Sequence, residues 1–320
     1  MYTFGIDFGG TNIAVGLVDE AMTVIDKMSM KTNVPRSISS MIDDMVIMLQ
    51  TLQTRNHLKN EDIKCVGVGV PCTANESNGH MEDADNLGFE DVEFRDVLQA
   101  RSGFPVYIDN DANAAAWGEY MTGDYTADSM IMITLGTGIG GGIILDGHLW
   151  KGINYSAGEF GHMVIYDNGV PCNCGRTGCF EAYGSASALT QQAKKRMQQD
   201  DKTILRKMCG NNPDNMEAKL VFDGAREMDA ACMELLDNYT TYLAEGIANI
   251  INIFQPAYVC IGGGISNAGT LLLDPVQAKV ANRIYSRNAA INTQIVLAKL
   301  KNDAGIIGAA LLGSRKGRGV

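Results

Sequence analysis

Three cysteines, Cys172, Cys174 and Cys179, stand within eight residues of one another, and His162 lies ten residues before the first of them. Three thiolates and an imidazole make the donor set of a closed, four-ligand zinc site, because soft sulfur with one nitrogen suits a tetrahedral Zn²⁺. Gly175 and Gly178 would let the short loop fold back so that its sulfurs converge. One disulfide with a spare thiol is the competing reading of the same spacing. A second chemistry is offered by glycine-rich turns. Asp7-Phe8-Gly9-Gly10-Thr11-Asn12 closes a strand with a carboxylate and then bares backbone N–H groups, which suits a metal-bound polyphosphate. Gly136-Thr137-Gly138 and the glycines up to 142 repeat the offer, and Gly262-Gly263-Gly264 makes a third such turn at a strand end. Together they point to nucleotide binding. None is a P-loop, since no Gly-Lys-Ser/Thr follows, and the segments after the first two read as strands, which a dinucleotide fingerprint does not allow.

The elements that must carry these groups are readable from periodicity. Tyr2 to Phe8, Ile13 to Val18 and Val24 to Lys31 read as a three-strand meander. From Ser37 to about Arg55, Met41, Met45, Met48, Leu49 and Leu52 recur at helical spacing with Ser37 as cap, and the methionine stripe reads as core packing. Ile63 to Val70 and Val106 to Asp109 are further strands, and Asp111 to Tyr120 is an alanine-rich helix. The same grammar restarts with a strand at Met130 to Leu135, the glycine turn 136–141, a strand at Gly142 to Leu145 and a hairpin turn at Asp146-Gly147. Helical patterns follow at 186–200, 217–228 and 232–254, then a strand at Ala257 to Ile261, a helix around 268–283, a strand at 293–298 and a last helix from about 305. Two rounds of strand, glycine turn, strand and later helix predict an internal duplication and two similar α/β lobes. No linker composition separates them, so the boundary is expected inside the helix near residue 118.

Composition narrows the class. Eight cysteines in 320 residues is far below a disulfide scaffold, and the five outside the metal loop sit among apolar residues as buried, inert thiols. The chain starts straight into a strand with no leader pattern, and no apolar run reaches bilayer length, so a soluble cytoplasmic protein without membrane partners is expected. A net charge of −11 opposes binding to a phosphate backbone and favours small molecules over nucleic acid. His57, His80 and His148 have no second ligand at metal-site spacing and are expected to be solvated, as is the acidic run Glu82-Asp83-Ala84-Asp85.

GIDFGGTN at 5–12, IDNDANAAAWGE at 108–119, LGTGIGGGI at 135–143, GEFGH at 158–162, CNCGRTGCFE at 172–181 and IGGGIS at 261–266 occur in one order along essentially the whole chain. In these stretches the chain resembles the ROK family of bacterial sugar kinases and repressors, within the actin/hexokinase-like superfamily. The resemblance implies two ribonuclease-H-like α/β lobes with an interlobe active-site cleft: a small lobe of 1–117 plus 303–320, its last helix packing back on it, and a large lobe of 118–302 that carries the zinc loop. It implies ATP with Mg²⁺ as phosphoryl donor, a structural Zn²⁺ held by His162, Cys172, Cys174 and Cys179, and a homodimer or homotetramer. Asp111 then becomes the catalytic base, with Asn110 beside it; its bland reading is a helix cap. Glu159, His162 and Glu181 correspond to positions that bind sugar hydroxyls, and Asn86 is a further candidate contact. Asp7, Gly9, Gly10, Thr11, Asn12, Gly136, Thr137 and Gly138 are assigned to Mg²⁺ and the phosphates, and Gly263 and Gly264 to the neighbourhood of the adenosine. Asp109, where many relatives have glutamate, receives no catalytic role.

The expected function is an ATP-dependent hexokinase acting on the 6-hydroxyl of an aldohexose, glucose first. Allose, fructose and N-acetylhexosamines are the alternatives, because one unpaired buried hydroxyl contact can decide among them. Glu159 speaks against N-acetylmannosamine, and Cys72, where glucokinase-like relatives follow proline with glycine, leaves the pocket wall open. A sugar-sensing regulator without kinase activity is the competing class, and a duplicated-lobe ATPase of the actin or chaperone type is a third.

Overall fold

The computed structural model describes residues 1–82, 84 and 87–314. In chain order the first elements are β1 (Tyr2–Phe8), β2 (Asn12–Val18), β3 (Val24–Lys31), α1 (Ile38–Arg55), β4 (Ile63–Val70), β5 (Thr73–Asn75), β6 (His80–Glu82), β7 (Val92–Glu93), α2 (Arg95–Ser102), β8 (Val106–Asn110) and α3 (Asp111–Thr122). They are followed by β9 (Met130–Leu135), β10 (Ile139–Leu145), β11 (His148–Leu149), α4 (Glu181–Gly184), α5 (Ala186–Gln199), α6 (Leu205–Met208), α7 (Ala218–Arg226), α8 (Ala230–Phe254), β12 (Tyr258–Gly262), α9 (Thr270–Ala281), β13 (Gln294–Leu297) and α10 (Ala304–Leu311). Two five-stranded sheets repeat one plan: β3-β2-β1-β4-β8 and β11-β10-β9-β12-β13. In the first, β1, β2 and β3 are an antiparallel meander and β4 and β8 join in parallel. In the second, β10 and β11 form a hairpin while β12 is parallel to both β9 and β13. The duplication expected from the repeated glycine turns is therefore present in the topology.

By contact the chain separates into two compact units, Met1–Asp128 with Gly142–Gly158 and Asn302–Val320, and Ser129–Gly141 with Glu159–Lys301. In the first unit β1 buries Phe4, Ile6 and Phe8 against the α1 stripe of Met41, Met45, Met48, Leu49 and Leu52, so the stripe is core. Ser37 caps α1 by accepting a bond from the Ser40 amide. On the other face of the sheet α10 lies very close. A Cβ on Gly5 or Gly67 would fall on the carbonyls of Ile306 or Ala309, so these two strand glycines exist to admit a helix backbone.

Three differences from the expected elements have physical reasons. The strand after the second glycine turn begins at Ile139, so Gly140 and Gly141 are strand residues. A three-stranded sheet β5-β6-β7, too short to show alternation, fills the segment after β4. His80, expected to be solvated, pairs its Nδ1 with Asp91 Oδ1 at 2.6 Å on that small sheet. The five cysteines outside the metal loop are buried thiols, as expected. Among the described residues no helix is long and apolar enough to cross a membrane.

Candidate active site and metal centre

Parallel strands present their carboxyl ends to ligands, because there the chain must leave the sheet through turns whose N–H groups are unpaired. In the first unit β1, β4 and β8 end together: Asp7 is in register with Gly69, and Gly69 with Asp109. After Asp7 the turn is closed by Gly9 N–H bonding to the Asn12 carbonyl at 2.9 Å, and buried Thr32 ties it down from β3 by donating Oγ1–H to the Gly9 carbonyl at 2.7 Å. Thr11 and Asn12 stay exposed. Burial raises the Asp7 carboxyl above its ordinary pKa, which a neighbouring cation would offset.

Asn110, not Asp111, caps α3: its Oδ1 accepts from the amides of Ala112 and Asn113 at 2.9 and 3.2 Å. Asp111 is the first helical residue, half-buried, and its Oδ1 accepts the same Ala112 amide at 2.7 Å. Asn110 also donates Nδ2–H to the Cys72 carbonyl at 3.3 Å. The departure at Cys72 therefore touches the site through its backbone, with its side chain buried.

In the second unit the turn after β9 is closed by Gly136 N–H on the Gly138 carbonyl, and the Gly136 carbonyl accepts the Ala186 amide at the start of α5. Glu181, at the start of α4, is neither a cap nor a surface residue, since its Oε2 accepts the Ile139 amide at 2.8 Å, directly behind Gly138. Glu159 and His162 flank a short 3-10 turn, with the His162 amide on the Glu159 carbonyl. Glu159 as a residue is exposed, yet its carboxyl sits raised: desolvation lifts it, His162 opposes, and Glu181 adds to the rise. The direction follows the surroundings of the carboxyl rather than the exposure of the whole residue. After β12, Gly263 adopts φ 79°, and its carbonyl accepts from Ser266 Oγ at 2.7 Å, leaving Gly264 open.

His162, Cys172, Cys174 and Cys179 offer ligand atoms that all lie within 4.8 Å of one another. Cys172 Sγ is 3.6 Å from His162 Nδ1 and Cys174 Sγ is 3.6 Å from Cys179 Sγ, with all three sulfurs free thiols. Two sulfurs about 2.3 Å from a tetrahedral zinc would stand about 3.7 Å apart, so the spacing fits the ion. The loop is built for convergence. Gly175 and Gly178 have φ of 86° and 80°, Cys172 N–H bonds the Arg176 carbonyl at 2.8 Å, and bridges Val164 to Cys179 and Pro171 to Thr177 flank the cluster. The Arg176 backbone holds the Cys174 thiol down to about 7, while burial and the neighbouring thiols push Cys179 up to about 12. Tyr166, Tyr183 and Tyr242 pack the loop onto α8 with centroids 5.1 to 5.9 Å apart. His162 turns Nδ1 toward the sulfurs.

The structure thus brings Asp7, the 9–12 turn, Asn110 and Asp111 to one sheet edge, and gathers Glu159, His162, Glu181, the 136–138 turn and the cysteines in the other unit. Asn86, Asp83 and Asp85 lie outside the described residues. Two features had no signal in sequence. A recess of about 310 Å³ beside Thr137 is lined by Ala186, Ser187, Gln191, Met216 and Glu217. Lys151 pairs with Asp109 and Glu76; a single lysine between Trp150 and Gly152 announces no partner.

The model of the ROK family matches residues 3–316. A glucokinase of Halalkalibacterium halodurans is 35% identical over 310 residues, covering 96% of this chain and 93% of the relative. A glucokinase of Thermotoga maritima is 35% identical over 309 residues, covering 96% and 95%. Among solved structures, a ROK family glucokinase from Streptomyces griseus in complex with glucose and AMPPNP superposes with a TM-score of 0.86 at 32% identity, over 98% of this chain and 99% of that one. With a whole-chain family match, the doubled sheet plan and the glycine turns in one order, this chain belongs to the ROK family.

Proposed function

We propose that this protein is an ATP-dependent glucokinase, which transfers the γ-phosphoryl group of MgATP to the 6-hydroxyl of glucose. The observation that carries the reading is the shared carboxyl edge of β1, β4 and β8, which bears both a phosphate-type turn and Asp111, in a chain 35% identical to glucokinases over nearly its whole length.

In the proposed reaction the Asp111 carboxylate accepts the proton of the sugar hydroxyl as that oxygen forms its bond to the γ-phosphorus. The bond from phosphorus to the bridging oxygen breaks, and ADP leaves with that electron pair. The backbone amides of Gly10, Thr11 and Asn12, and of Thr137 and Gly138, meet the phosphates, while the Gly9 and Gly136 amides, assigned to phosphate by the resemblance, close the two turns instead; Asp7 would hold Mg²⁺. The adenosine lies by Gly263 and Gly264, and its base enters the recess beside Thr137. Asn110, Glu159, His162 and Glu181, with Asn86, take the sugar hydroxyls: a carboxylate accepts two hydroxyl bonds, and an imidazole anchored through Nδ1 offers Nε2 in one orientation. Zinc held by His162, Cys172, Cys174 and Cys179 would supply rigidity to that loop. With four protein donors its role would be structural. The protein works in the cytoplasm as a homodimer or homotetramer, which light scattering of the purified chain would check.

A coupled ADP-release assay over a panel of hexoses and N-acetylhexosamines tests the reading. Glucose should give the highest kcat/KM. A larger value for allose or an acetylated amino sugar sinks the substrate and leaves the kinase, whereas no sugar-dependent ADP release sinks both.

A further inference from the structure

Lys151 lies two residues beyond the end of β11, and its side chain is only 11% exposed. Its Nζ lies 2.9 Å from Asp109 Oδ2 and 2.5 Å from Glu76 Oε2, and Asp109 itself is 2% exposed. Burying such a network is a poor way to gain stability, because desolvation offsets much of the attraction and apolar residues of the same volume often do as well. Its geometry suggests another use. The Asp109 carboxylate divides its oxygens: Oδ2 faces Lys151, while Oδ1 accepts the Asn110 amide at 2.9 Å and the Asn113 side-chain amide at 3.1 Å. Asn110 in turn caps the helix through the amides of Ala112 and Asn113 and reaches back to Cys72. Asp111 sits between residues that are each held by the Asp109 carboxylate directly or through one further bond.

A carboxylate can turn about its last torsion, and here turning would release Asn110 and Asn113 together. Lys151 fixes that torsion through Oδ2, and Glu76 holds the ammonium in place. The lysine is itself anchored, since its carbonyl accepts the Ala157 amide at 3.0 Å, and the loop so closed is pinned again by Ser156 Oγ at 2.8 Å from Thr73 Oγ1. We propose that Lys151 and Asp109 are positioning residues for the phosphoryl transfer, which lock the Asn110–Asp111 turn so that the Asp111 carboxylate meets the reacting hydroxyl. This rests on the glucokinase reading for its kinetic arm, and neither residue touches substrate in it.

The test compares Lys151→Met, Asp109→Asn, the double variant and Lys151→Arg as full-length, zinc-loaded protein. Lys151→Met should lower kcat by about a hundredfold, the scale of a misplaced catalytic group, while the KM for ATP stays at the parent value. Amide exchange at residues 110–113 should accelerate. Lys151→Met takes the cation from the buried Asp109 carboxylate and could unfold, whereas Asp109→Asn leaves Lys151 on Glu76; the double variant leaves no buried charge, since Glu76 is 41% exposed, so it should keep the parent melting temperature and remain slow. Lys151→Arg, which can still bridge both carboxylates, should recover most of kcat. Parent-like kcat in the double variant overturns the proposal, because only an uncompensated charge would then have mattered. If the parent phosphorylates no sugar, the functional reading falls, and amide exchange alone decides: unchanged exchange at 110–113 in the folded double variant overturns the positioning role.

Discussion

Replacing Gly138 by alanine adds one methyl group to the phosphate turn, and its damage should appear on the sugar side. Gly138 is not among the glycines with a left-handed backbone, so alanine is permitted there and the effect is steric. The new Cβ would collide with Glu181 Oε2 and stand 3.1 Å from its carboxyl carbon. A carboxylate at the end of a flexible chain yields before a backbone does, so Glu181 swings away and loses the Ile139 amide, now 2.8 Å from Oε2. Hydrogen bonds to charged groups are worth about 1.5–3 kcal/mol. At 1.4 kcal/mol per decade, the proposed sugar clamp loses about 10- to 150-fold if nothing replaces the bond. The amides of this turn assigned to phosphate, those of Thr137 and Gly138, precede Ile139, so the KM for glucose should rise within that range and the KM for ATP much less. ADP release with each substrate varied at saturation of the other reads both. Gly136→Ala is the control, since open space surrounds that position and the glucose KM should hold. A glucose KM within twofold of the parent, or an ATP KM that rises as much, would refute the link from turn to clamp.

Three further outcomes follow from the same geometry. Asp111→Asn should keep glucose and ATP binding by calorimetry yet lose about two orders of magnitude or more in kcat, the usual share of a positioned general base; near-parent turnover removes Asp111 from the mechanism. Cys174→Ser should lower the zinc content found by elemental analysis and raise the glucose KM more than the ATP KM, because the metal cluster includes His162, whose amide bonds the Glu159 carbonyl; zinc-free protein from a chelator-free preparation would end the metal assignment. Gly308→Ala puts a Cβ onto the Ala114 carbonyl of α3, where neither backbone can yield, so it should cost at least about 1–3 kcal/mol of overpacking and a lower melting temperature. An unchanged melting temperature would contradict the close approach of α10 to α3.

How much of this was legible in the sequence depends on how far apart the interacting residues are. The parallel strands β4, β9 and β12 were readable because strands buried on two faces are short apolar runs, and α1 because Ser37 and the methionine stripe obey local rules; β11, two residues long, was not read. The donors that act as neighbours were readable too: three cysteines in one loop, amides in one turn, Asn110 beside Asp111. Reading failed where a local rule served a distant partner. Gly140 and Gly141 passed for turn residues although they continue β10, and Gly142 in the same strand is glycine because α3 leaves no room: a Cβ there would meet the Ala116 side chain and the Ala112 carbonyl. Asp111 was read as a possible cap because it begins the helix, while the bonds show that Asn110 has that duty. Asp109 drew attention only through what relatives carry at that position, and Lys151 drew none, because Lys151 and Glu76 are 75 residues apart and no period or motif joins them. The groups assigned to the chemistry lie on single segments that a reader can scan, whereas the groups that hold them in place are drawn from three segments which only the folded chain brings together.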